Sequence, residues 1–187
     1  MQAIDNALLG WLLQPAQASS AVLATLRALT ALGSWWATLS VTALAAVFLM
    51  LRGQGRRSAA LVIVVLTGRF SVDLLKIWLY RPRPALVDYD IVVHSLSFPS
   101  GHAGNSTITY LSLALFLSPV VGNSRALVAV AALLAFAIGL TRPMLGVHWP
   151  TDVLAGWAWG TAWTLSSVWL LNTWLLGRPV NQPPQTN

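Results

Sequence analysis

Apolar residues run almost unbroken through five stretches of the chain, 34–51, 59–80, 103–121, 126–140 and 153–176. An α-helix rises about 1.5 Å per residue, so about 20 apolar residues cross the ~30 Å hydrocarbon core of a bilayer. The five stretches are long enough, or nearly so, and predict five membrane spans. Ahead of them, 4–13 and 21–32 have an amphipathic look and are separated by the polar, proline-containing QPAQASS. They predict two short helices lying in the membrane interface. A single long tilted helix over 21–51 is the other way to read the second of them. The expected organisation is an interfacial N-terminal segment (1–33), one transmembrane domain (34–176) and a disordered cytoplasmic tail (177–187).

Composition agrees with a bilayer as solvent. Of 187 residues, 56% are hydrophobic and 9% charged, and the mean hydropathy is +0.67. A soluble domain carries about 25% charged residues. The net charge of +6 forms no basic stripe, so nucleic acid is not an expected partner. Instead, Arg52, Arg56, Arg57, Arg125 and Arg178 fall in the loops and tail on one side of a five-span topology. Short arginine-rich loops mark the cytoplasmic side. The N-terminus and the segments 81–102 and 141–152 are then expected to face outward. The N-terminus has no basic run before its apolar residues and does not read as a cleavable signal peptide. Without cysteine, disulfide and thiolate chemistry are excluded.

Trp35, Trp36, Trp78 and Trp149 suit an aromatic belt at the outer interface. Trp157, Trp159, Trp163, Trp169 and Trp174 are expected to face lipid. Gly156 and Gly160 form a GxxxG, a weak signature that more often marks helix packing than chemistry.

What remains is a set of polar residues on the outer side, against the positive-inside bias. Lys76 precedes Arg83-Pro84 by six intervening residues. Pro99-Ser100-Gly101-His102 opens the third span. Thr141-Arg142 is followed after five residues by His148 and after three more by Asp152. Singly, these read as snorkelling anchors, a turn and an interfacial imidazole. Together they place cations, two histidines, a carboxylate and a glycine-containing helix start on one membrane face, where ionisable groups are costly and usually functional.

The chemistry they suit is phosphoryl transfer. Lys76, Arg83 and Arg142 can surround phosphate oxygens. Ser100 and the amides around Gly101 begin a helix, whose free N–H groups and dipole favour an anion. If the turn after His148 is helical, Asp152 can accept from one imidazole nitrogen and leave the other aimed at phosphorus. His102 can then protonate the leaving oxygen. Two histidines and a carboxylate can in principle hold zinc, but three adjacent cations repel it, so neither a metal nor another cofactor is expected.

The three motifs, in this order and at these intervals, resemble the signatures of the type 2 phosphatidic acid phosphatase family. The similarity covers about residues 34–176. It implies an all-α polytopic transmembrane bundle of about five or six spans plus N-terminal amphipathic helices, with a site at the outer leaflet of a cell membrane. It also implies metal-independent hydrolysis through a phosphohistidine. Position by position, the family's pattern makes His148 the nucleophile, Asp152 its orienter and His102 the acid that later activates water. Lys76, Arg83, Ser100, Gly101 and Arg142 hold the phosphate. Thr141 stands where a serine is more usual. Pro143 is expected to end or bend the helix there.

Other residues stay open at this stage. Arg69 and Asp73 are spaced to pair within the second span, and Asp73 alternatively steadies Lys76. Arg81 either joins the phosphate cage as an accessory cation or anchors the interface. Asp88, Asp90 and His94 lie in an outer loop expected to form a mobile lid. The expected partner is a membrane lipid phosphate, with undecaprenyl pyrophosphate preferred over phosphatidylglycerol phosphate, phosphatidic acid and lipid A phosphates. A vanadate-dependent haloperoxidase uses a similar oxyanion cage but is large and soluble. A non-catalytic lipid carrier has no need of His148, Asp152 and His102 together.

Overall fold

The computed structural model describes residues 2–84 and 96–174. Their regular structure is helical: α1 (Gln2–Ala18), α2 (Ser20–Ala31), α3 (Trp35–Leu51), α4 (Gly55–Trp78), α5 (Gly101–Val121), α6 (Ser124–Met144) and α7 (Pro150–Trp174). Serine side chains start three of them. Ser19, Ser34 and Ser100 accept from Val22, Ala37 and Ala103 N–H respectively, which satisfies donors that the first helical turn leaves free. The expected Asp88, Asp90 and His94 lid and the 177–187 tail lie outside the described residues.

α5 is the central helix. Every residue from Ala103 to Thr109 is buried, and α3, α4, α6 and α7 all pack against it. A main apolar core joins Ala45 and Leu49 of α3, Leu61, Val64, Val65 and Val72 of α4, and Ile108 and Phe116 of α5. Val168 and Leu171 of α7 pack against it. Small residues let α7 approach α5. A Cβ on Gly156 would lie 2.8 Å from the Ser100 carbonyl oxygen, and one on Gly160 would lie 2.7 Å from that of Gly104.

The count of spans differs from the expected five or six. Three helices among the described residues, α4, α5 and α6, are long and apolar enough to cross a membrane. A fourth is gained if α2 and α3, bent by 46° at residues 32–34, make one span. At 17 residues α3 is short on its own. α7 has 25 residues, but threonine, serine, glycine and tryptophan dilute its hydropathy. The bend also answers the choice over 21–51: there are two helices, not one straight one.

Those α7 tryptophans are not simply lipid-facing. The indole N–H of Trp157 donates to the Ala135 carbonyl (3.2 Å), that of Trp159 to Ser71 Oγ (2.9 Å), and that of Trp163 to the Val64 carbonyl (3.1 Å). They fasten α7 to α6 and α4, because a buried indole N–H must find an acceptor. Trp169 is exposed, as are Trp35, Trp36 and Trp78. Trp149 is buried.

α1 runs on through Pro15 to Ala18 rather than ending at Leu13. Its buried residues, Asp5, Leu9 and Leu13, recur every fourth position, and Leu9 and Leu13 pack on Trp149. Ile4, Leu8 and Trp11 on the other faces are exposed. α1 and α2 therefore lie at the end of the bundle where α4 and α6 finish and α5 and α7 begin. The polar motifs meet at that end.

Candidate active site

α6 delivers His148 by a specific turn. Gly146 takes φ 74°, Gly146 N–H donates to the Pro143 carbonyl (3.0 Å), and Val147 N–H donates to the Arg142 carbonyl (3.1 Å). This pair of bonds is a Schellman C-cap, whose left-handed position is one that glycine fills without penalty. Pro143 sits in the last turn, where the helix does end. With five residues between them, Arg142 is followed by His148, buried beside α7.

Around the imidazole every neighbour constrains the proton. Arg83 Nη1 donates to His148 Nε2 at 3.1 Å and also to the Val147 carbonyl at 2.5 Å. A guanidinium can only donate, so Nε2 is the accepting nitrogen and the ring proton sits on Nδ1. That nitrogen faces Ser97 Oγ at 3.3 Å and Asp152 Oδ2 at 3.5 Å. Ser97 Oγ itself donates to Asp152 Oδ2 at 2.5 Å. The serine hydroxyl thus stands between imidazole and carboxylate, nearer to the ring than the carboxylate is.

Asp152 is fully buried. Besides Ser97 it accepts from Trp149 N–H (3.0 Å) on Oδ2 and from Arg81 Nη1 (2.7 Å) on Oδ1. Burial alone would raise its pKa, but His148, Ser97 and the Trp149 amide together hold it below its ordinary value. His148 is pushed down to about 3, first by burial and then by Arg83, Arg142 and Lys76, against the pull of Asp152. Arg83 touches the imidazole and Arg142 and Lys76 act on it through their charge, so near neutral pH the ring is neutral with its Nε2 unprotonated.

The sign of that shift sets a pH dependence. Between the ordinary value of 6.5 and about 3, the unfolded chain takes up a proton that the folded chain refuses. Stability therefore falls as pH drops through that window. Thermal unfolding in detergent should show Tm falling by a few degrees between pH 7 and pH 5. A shallower fall is expected in His148→Gln; equal slopes would contradict the buried neutral imidazole.

The remaining motif residues take these places. Lys76 Nζ donates to the Leu96 carbonyl (3.1 Å) and the Pro99 carbonyl (2.6 Å), which ties the end of α4 to the segment leading into α5. Ser100 is buried, and its backbone N–H donates to the Asp152 carbonyl (2.9 Å). Gly101 starts α5 close to Lys76. His102 lies within electrostatic reach of Arg142, His148, Arg83 and Lys76. Arg142 donates from Nη1 to Thr30 Oγ1 (2.8 Å), while its buried Nε has no partner among the described residues. Arg81 is directed at Asp152, Thr151 and Asp5 and stacks on the Trp149 ring at 5.5 Å. Arg69 donates to Thr38 Oγ1 (3.0 Å). Among the described residues no group of three His, Cys, Asp or Glu side chains is placed to hold a metal ion.

Four contributors were not read from the sequence. Ser97, Thr30, Gly33 and Asp5 reach the site from a loop, the α2 end, the α2–α3 bend and α1. Gly33 lies against Ser106 and the His102 ring. Ser97 had a faint signal, a hydroxyl two residues before Pro99. Asp5 had a stronger one, as the only charged residue of α1.

The PAP2 superfamily sequence profile matches residues 57–175. A phosphatidylglycerophosphatase B of Bacillus subtilis is 38% identical over 106 residues, 54% of this chain and 51% of that protein. A decaprenylphosphoryl-5-phosphoribose phosphatase of Mycolicibacterium smegmatis is 39% identical over 79 residues, 41% of this chain and 39% of that protein. The chain thus spans about half or less of the length of these curated relatives. Among solved structures, a transmembrane PAP2-type phosphatidylglycerolphosphate phosphatase from Bacillus subtilis superposes with a TM-score of 0.86 at 24% identity, covering 95% of this chain and 89% of that one. Aquifex aeolicus LpxE superposes with a TM-score of 0.68 at 23% identity, covering 87% and 93%. Both likenesses concern the fold.

Proposed function

The chain belongs to the PAP2 superfamily, and from that premise we propose that it is a multi-pass membrane phosphatase that removes a terminal phosphate from a membrane lipid. The observation that carries the reading is the state of His148. Its unprotonated Nε2 accepts from Arg83, and its Nδ1 proton faces Ser97 and Asp152.

In the reaction the lipid phosphate takes the Arg83 donor that Nε2 now occupies. Lys76, Arg83, Arg142 and the backbone amide of Gly101 at the start of α5 hold its non-bridging oxygens and stabilise the charge that spreads over them. Nε2 attacks phosphorus, the bond from phosphorus to the lipid oxygen breaks, and His102 delivers a proton to that oxygen. A phosphohistidine remains. His102, now a base, takes a proton from water, which displaces His148 and releases inorganic phosphate. Asp152 and Ser97 offset the charge that the ring gains while phosphorylated. No metal has a role in these steps.

The proposed substrate is undecaprenyl pyrophosphate, at the outer face of the cytoplasmic membrane of a bacterium. The cage addresses a terminal phosphate, and the apolar helices around it suit a long lipid tail. A second reading, phosphatidylglycerol phosphate, draws on the names of the Bacillus subtilis relatives. Phosphate release from both lipids and from phosphatidic acid, with EDTA present, is the test. Release that survives EDTA from one lipid in preference to the others supports the reading and names the substrate. No release from any sinks it. Reporter enzymes joined after residue 55 and near residue 90 complete the experiment, expected to read inside and outside respectively.

A further inference from the structure

Asp5 is fully buried in a helix whose other faces are largely exposed. Oδ2 accepts from Arg81 Nη2 (2.6 Å) and from Thr151 Oγ1 (2.7 Å), and Oδ1 accepts from Thr151 N–H (3.0 Å). Thr151 is the second residue of α7. The residue before that helix, Trp149, has no side-chain oxygen with which to cap it. Asp152, in the third position, supplies half of a capping box by accepting from Trp149 N–H at 3.0 Å. Asp5 supplies the other half from a different helix.

Arg81 links the two carboxylates. One of its amino groups donates to Asp152 and Thr151, the other to Asp5. Burial works against its charge, but Asp5 and Asp152 outweigh that and hold its pKa above the ordinary value. The guanidinium is pinned on both edges and by the indole beneath it. From Asp5 a continuous set of short bonds runs through Arg81 to Asp152, then to Ser97 and His148. Asp5 lies outside residues 57–175, the part matched by the superfamily profile.

We propose that Asp5 is a positioning residue of the active site, through which α1 caps α7, fixes Arg81 and so sets the orientation of Asp152 toward His148. This rests on the phosphatase reading above. Asp5 touches none of Lys76, Arg83 or Arg142, so it acts on turnover and not on phosphate binding.

The test is steady-state phosphate release by full-length Asp5→Asn, Asp5→Ala, Arg81→Ala and the Asp5→Ala/Arg81→Ala double variant, per monodisperse molecule. For Asp5→Ala, kcat should fall about ten- to hundredfold, the scale of a misplaced catalytic group, with KM within about twofold. Asp5→Asn keeps the shape and the bond from Thr151 N–H and should lose less, and it keeps the question answerable if the alanine variant does not fold. Because part of the effect of Asp5 runs through Arg81, the double variant should lose less than the product of the two single losses. Wild-type kcat in both Asp5 variants, a change in KM alone, or losses that multiply in the double variant overturn the role of Asp5. A wild type that releases no phosphate overturns the phosphatase reading and this role with it.

Discussion

His148→Ala is expected to abolish lipid phosphate release, on the order of 10⁴-fold or more, while lipid binding persists. In the proposed mechanism His148 is the nucleophile, so its removal deletes the reaction path itself, and what survives is the modest help of the remaining electrostatics. Lys76, Arg83 and Arg142 stay in place in this variant, so the anionic headgroup still finds its cage. Arg83 loses one acceptor, Nε2, but keeps the Val147 carbonyl. The measurement is release of labelled phosphate together with trapping of a labelled enzyme intermediate. A phosphohistidine is acid-labile and stable in base, unlike a phosphoserine, so the chemistry of the trapped label identifies its residue. Label on wild type and none on His148→Ala supports the assignment. Substantial turnover by the alanine variant removes it, and equal binding by both proteins with no turnover in either points to a lipid carrier.

Gly156→Val is expected to cost both the fold and the activity, for one geometric reason. A Cβ at Gly156 would stand 2.8 Å from the Ser100 carbonyl oxygen, 2.9 Å from Ala103 Cβ and 3.0 Å from the Gly104 nitrogen. Two of these are backbone atoms in the first turn of α5 and cannot swing aside, so α7 has to move away. Overpacking of this kind costs about 1–3 kcal/mol, and the branched side chain brings more atoms to the same place. The displacement falls on groups of the proposed active site. Asp152 lies one turn before Gly156, and its carbonyl receives the Ser100 N–H. A lowered Tm with a loss of kcat is therefore expected from thermal unfolding and assay of one preparation. Gly10→Ala, in α1, is the contrast: nothing lies within 4 Å of its added Cβ, and neither quantity should fall. Wild-type activity in Gly156→Val would show that α5 and α7 do not need this close approach.

The GxxxG of α7 was only a weak signal in the sequence, because small residues four apart occur for many reasons. Its meaning depends on what faces it, and here that is the backbone of α5. The α7 tryptophans teach the same lesson in reverse. A hydropathy pattern assigns them to lipid, yet three of their indole N–H groups reach acceptors on α4 and α6. The excess of expected spans has the same origin. Apolar runs can be counted along a chain, but whether a helix meets lipid or protein depends on its neighbours, and α7 carries polar atoms that those neighbours satisfy.

The sequence by itself determined that the chain is a helical membrane protein, and it nominated the chemistry. Helical apolar runs, few charges and three spaced motifs are local properties, and residue type with spacing sufficed to select Lys76, Arg83, Ser100, Gly101, His102, Arg142, His148 and Asp152 as candidates. Their convergence, the proton on Nδ1, the insertion of Ser97 between ring and carboxylate, and the turning of Arg81 toward Asp152 were decided only in three dimensions. Asp5 marks the limit most clearly. Its partners stand 76 and 146 residues away, and no periodicity along a helix encodes an acceptor on another one. A buried carboxylate is stable only where donors meet it, and those donors are assembled by the packing of α1 against the start of α7.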